Sequence, residues 1–141
     1  MKFYNLNSYY IVTDIKEHEN NKQKFLNLIE KIPESSLENI SKTDWNLPKD
    51  LKREYLDYFY EVFRPYMNEM ATKLKCKDWK IGCGWFQIYD KNDKHTWHIH
   101  QQCNYTNVYF LHLPNNSIKT HVYDLMTDTM IDDLEVKEGQ V

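Results

Sequence analysis

The sequence predicts an α+β fold, with N-terminal helices packed on an antiparallel sheet. Before residue 75, apolar residues recur at helical spacing in two segments. From Trp79 the period changes to two, and short strand-like runs follow one another between polar turns. Those turns are too short for crossover connections, so the strands are expected to pair antiparallel. With this many short strands the sheet is expected to be a barrel-like or double-sheet jelly roll. A chain of 141 residues is expected to form a single domain, 1–141. Residues 1–75 would supply a strand and the helical support, and 76–141 the first part of the jelly-roll core.

Taken in order, residues 3–15 contain Tyr9-Tyr10-Ile11-Val12-Thr13, a β-branched and aromatic run that reads as a strand. Phe25, Leu28, Ile29 and Ile32 set a helix over 22–32, which Pro33 ends. Residues 34–46 are polar and turn-rich, and Trp45 is read as the anchor of that loop. A second helix is expected from near Pro48, with Leu51, Tyr55, Phe59, Val62, Phe63, Tyr66, Met67, Met70 and Leu74 on its apolar stripe. Pro65 should kink or split it. Strands are then expected over 79–89, 107–113 and 118–125. Residues 90–94 form a turn, 127–133 an acidic connection, and 135–141 the opening of another strand. Gly82 and Gly84 invite a bulge or a close neighbour in the first of these strands.

A formal net charge of −3 argues against general binding to nucleic acid or anionic membrane, since neither gains from counterion release. Three cysteines, an odd number with no Cys-x-x-Cys pair, point to a reducing, cytoplasmic setting. Each reads as a small core or strand residue. The N-terminus has no signal-peptide pattern, and no apolar run approaches the length of a membrane span.

The sharpest chemical feature is Thr96-Trp97-His98-Ile99-His100. In an extended run His98 and His100 share one face, and two neutral imidazoles can close on one first-row metal ion. The plainer reading is a pair of surface histidines at a strand end. The common iron triad has a carboxylate where His100 stands, and cupins follow His-x-His with a glutamate where this chain has Asn104. Zinc therefore stays open beside iron. His112 and His121 are possible substitute ligands, each reading equally well as a structural histidine. His95 and Asp93 are expected to be exposed beside the turn, and His18 carries no signal.

The segments Trp85-Phe86-Gln87-Ile88-Tyr89, His95-x-Trp97-His98-x-His100 and 105–114, with Ser41-Lys42-Thr43-Asp44-Trp45 ahead of a long helix, resemble the Fe(II)/2-oxoglutarate-dependent oxygenases of phage and marine bacterial genomes. The resemblance covers most of the chain from about Ile40. It implies a double-stranded β-helix, a cupin-like jelly roll, acting as a hydroxylase with Fe(II) and the small-molecule cosubstrate 2-oxoglutarate, with His98 and His100 in the first two metal-ligand positions. Tyr109 and Lys119 would contact the cosubstrate, although Tyr109 also reads as a core ring and Lys119 as a solvated strand lysine. No side chain is assigned a catalytic role beyond these, and the substrate is unknown. In such proteins the Val-x-x-Gly stretch, here Val136 to Gly139, leads to a distal histidine and a basic residue. The expectation is therefore a C-terminally truncated fragment, inactive alone and self-associating through an uncovered sheet. If phage-encoded, it would reside in the host cytoplasm. The alternatives are a non-catalytic jelly-roll binding module and a zinc-binding cupin-like protein.

Overall fold

The computed structural model describes residues 10–116, 120–131 and 135–141. Among them the order is α1 (His18–Glu30), β1 (Lys42–Thr43), α2 (Glu54–Lys73), β2 (Gln87–Ile88), β3 (Val122–Asp124) and β4 (Thr129–Ile131). The fold is mixed helix and strand, and both sheets are antiparallel pairs, β1 with β2 and β3 with β4. The described residues form no double-stranded β-helix. The chain gathers into two compact units, one of residues up to Lys22 with those from Tyr105 onward, the other Gln23–Asn104. This division cuts across the expected halves at residue 75.

In the second unit, the apolar stripes of the two helices make the core. Phe25 and Ile29 of α1 are buried, as are Tyr55, Phe63 and Met67 of α2, with Phe63 wholly inaccessible. Phe59 stacks on Phe63 at 3.9 Å between centroids. Helix α2 starts at Glu54, not near Pro48, because the preceding loop is wound around the Arg53 guanidinium. That group donates to the carbonyls of Asp44, Leu47, Pro48 and Leu51 at 3.0–3.3 Å. Arg53 itself is held at φ −117° and ψ 79°, outside the helical region. Pro65 lies inside α2, and the helix runs through it unbroken.

Asp44 anchors this loop. Its side chain is fully buried and receives Arg53 Nε and the Tyr55 hydroxyl on Oδ2, each at 2.6 Å, and the Phe86 N–H on Oδ1 at 3.1 Å. Burial, then the Asp44 carboxylate accepting its proton, pushes the Tyr55 phenol well above its usual range. Thr43, also fully buried, donates its hydroxyl to the Phe86 carbonyl at 2.7 Å. Both backbone groups of Phe86 are thus taken by side chains, and the strand expected over 79–89 narrows to Gln87–Ile88. Trp45, expected to anchor the loop, is 55% exposed, and its buried neighbour Asp44 holds the loop instead. Gly84 has the close neighbour expected of it: a Cβ there would come 2.9 Å from Leu56 Cδ2.

In the first unit, residues 139–141 lie between two segments. Thr13 and Val141 exchange both backbone hydrogen bonds, and Ile15 N–H donates to the Gly139 carbonyl. On the other side Phe110 and residues 139–140 exchange two more. Of the strands expected over 3–15 and 107–113, the described residues 10–15 and 107–113 show only these backbone bonds and form no strand, and residues 3–9 lie outside the described residues. Val108 is exposed, and Tyr109, Phe110 and Leu111 are half-buried. The expected acidic connection over 127–133 carries β4, whose hairpin with β3 turns through Asp128 at φ 56°.

Candidate metal site

His98 and His100 meet in the second unit, with their Nε2 atoms 3.1 Å apart. Nitrogens about 2.0–2.1 Å from one zinc ion, at tetrahedral or octahedral angles, are separated by roughly 2.9–3.4 Å. His98 Nδ1 donates to the Thr96 carbonyl at 2.9 Å, which leaves the lone pair of a neutral imidazole on Nε2. The pair does not lie on a strand: residues 95–100 pair with no strand and both histidines are exposed.

Each side of the pair is braced by an aromatic or polar neighbour. The Trp85 ring lies 5.9 Å from that of His100, and Trp45 packs edge-on against Trp85 at 4.4 Å. Trp45 follows Asp44, so the buried carboxylate positions this aromatic row. The His95 ring sits 4.2 Å from that of His98. The turn before it is docked, not free: Asp93 Oδ2 accepts the Ser41 hydroxyl and the N–H groups of Ser41 and Asp90, and Lys94 N–H donates to the Asn39 carbonyl. The Ser41 hydroxyl, then the Asp90 N–H, hold the Asp93 carboxyl below its ordinary value. Burial, then the neighbouring imidazoles, lower the His95 and His100 values, which favours neutral, ligand-ready rings.

No third His, Cys, Asp or Glu among the described residues offers an atom within 4.8 Å of both Nε2 atoms. His112 Nδ1 is bound to Glu138 Oε2 at 3.0 Å, and the Tyr109 hydroxyl is hydrogen-bonded to His18 Nδ1 at 2.6 Å. Both therefore have partners within the first unit. His121 is exposed, and Lys119 lies outside the described residues. The three cysteines are exposed and form no disulfide, where core or strand positions were expected.

Glu138 and His18 were missed from the sequence. The Glu138 carboxylate accepts from Lys22, His112 and the Leu113 N–H, and His18 Nε2, buried without a hydrogen bond, faces it at 3.5 Å. Burial raises the Glu138 carboxyl, but Lys22, the Leu113 N–H and His18 outweigh it and bring it down to about 2. With Glu19 this group could offer three ligand atoms, yet the Lys22 ammonium already neutralises it. No sequence spacing links Lys22 or His18 to Glu138, more than a hundred residues away, so no local signal could have found the cluster. No protein-family model matches the chain, and no curated protein or solved structure matches it significantly. Among the described residues no helix is long and apolar enough to cross a membrane.

Proposed function

We propose that the chain is a metal-dependent oxygenase of the Fe(II)/2-oxoglutarate type, with His98 and His100 as two of its metal ligands. The observation that carries this reading is the 3.1 Å approach of two imidazole nitrogens, one with its tautomer set by Thr96. The donor set fits two nitrogen positions of such a site. Bound iron would supply adjacent open positions for dioxygen and cosubstrate, for oxidation of a substrate not yet identified. The chain's own part is to orient the pair: the Thr96 carbonyl holds the His98 ring, Trp85 backs His100, and the Asp93–Ser41 tie holds the preceding turn.

A donor set of imidazoles without a carboxylate also favours zinc over iron at equal availability. Competitive titration of the chain with Fe(II) under anaerobic conditions and with Zn(II) separates the two. Fe(II) binding that is lost in His98→Ala and His100→Ala is the expected result for the oxygenase site. Metal binding unchanged by both substitutions overturns the site. Zinc binding at the pair with no measurable Fe(II) binding replaces the oxygenase with a zinc site.

A further inference from the structure

We propose that His95 supplies the third protein nitrogen to the metal held by His98 and His100, through its Nδ1 atom. This rests on the metal reading above and goes beyond it, because the resemblance places no ligand at that position. Three imidazoles fall within residues 95–100, and their rings touch in sequence, His95 on His98 at 4.2 Å and His98 on His100 at 4.8 Å.

The free nitrogen of His95 is assigned by its neighbours. The Tyr89 hydroxyl donates to Gln87 Oε1 at 2.6 Å, which turns the Gln87 amide NH₂ toward His95 Nδ1 at 3.3 Å. Nδ1 therefore holds the lone pair of the neutral ring, and that weak contact is its hydrogen bond in the metal-free chain. His95 does not yet share a 4.8 Å span with both partners. The gap is one that side-chain rotation can close: the ring is exposed, and residues 96 and 97 lie in no ladder. The backbone on the other side of His95 is fixed, since Asp93 and Lys94 are tied to residues 39–41. The ring is thus hinged at a stationary point beside the pair.

Copper(II) titration of the 141-residue chain tests this, with affinity and the nitrogen hyperfine pattern of the bound ion as readouts. Wild type is expected to show three imidazole nitrogens. His95→Ala should show two and bind roughly tenfold or more weakly. His95→Phe keeps an aromatic ring against His98 and removes the nitrogen, so it should lose the same affinity and the same nitrogen. Three nitrogens retained in either variant, or affinity rescued by phenylalanine, overturns the ligand role and leaves the His98–His100 site standing. Failure of wild type to bind, or binding indifferent to His98→Ala, removes the metal reading itself and the third ligand with it.

Discussion

Each unit is organised by one carboxylate, and the two carboxylates differ in their access to water. Asp44 is wholly enclosed, and its oxygens are taken by a guanidinium, a phenol and a backbone N–H. Glu138 is 23% exposed and gathers an ammonium, an imidazole and a backbone N–H near the surface. A buried charge leaves its partners stranded when removed, whereas solvent takes over part of that role at a surface. Asp44 therefore fixes the architecture around the histidine pair, and Glu138 makes its own unit sensitive to pH.

The largest effect expected is that of Asp44→Ala, which leaves Arg53, Tyr55 and the Phe86 N–H without their acceptor. Loss of one partner of a buried pair costs about 3–5 kcal/mol. Urea denaturation should show it, and Tyr55→Phe, which removes one hydrogen bond, should cost about 1 kcal/mol. If the two losses were equal, the buried charge would not be the organising element.

Glu138→Ala comes next. Hydrogen bonds to a charged group contribute about 1.5–3 kcal/mol, and exposure to solvent moves the expected loss toward the lower figure. The native carboxyl titrates at about 2, below its ordinary 4.5, so the unfolded chain takes up the proton first as pH falls. The contribution is complete above pH 4.5 and is lost as pH falls toward 2. Glu138→Gln should flatten the stability profile across that window. An unchanged profile would mean that Glu138 and Asp44 are equally insulated.

The narrowest comparison separates two glycines. Gly139 has φ +85°, and a Cβ there would stand 3.0 Å from His18 Cγ, whereas Gly82 has nothing within 4 Å. Gly139→Ala is expected to cost about 1–3 kcal/mol, and Gly82→Ala to stay within about 0.5 kcal/mol. Equal melting temperatures for the two variants would remove the close packing of His18 against residue 139.

Local pattern determined what local bonds enforce. A helix satisfies its backbone within itself, so the stripe from Phe25 to Ile29 and that from Tyr55 to Met67 were legible from spacing. The His98–His100 pairing was legible for the same reason, since two residues of extended chain suffice to set it. Strand partners are distant in sequence, and propensity at 79–89 or 107–113 does not say what will meet their backbone. Only the tertiary structure decided that Asp44 and Thr43 take both backbone groups of Phe86, and that residues 139–141 lie against 13–15 and 110. It also decided that the charged residues Asp44 and Glu138, which in sequence look like ordinary polar positions, gather the partners of each unit. A carboxylate's role depends on the donors that surround it, and these come from residues whose proximity the chain order does not encode.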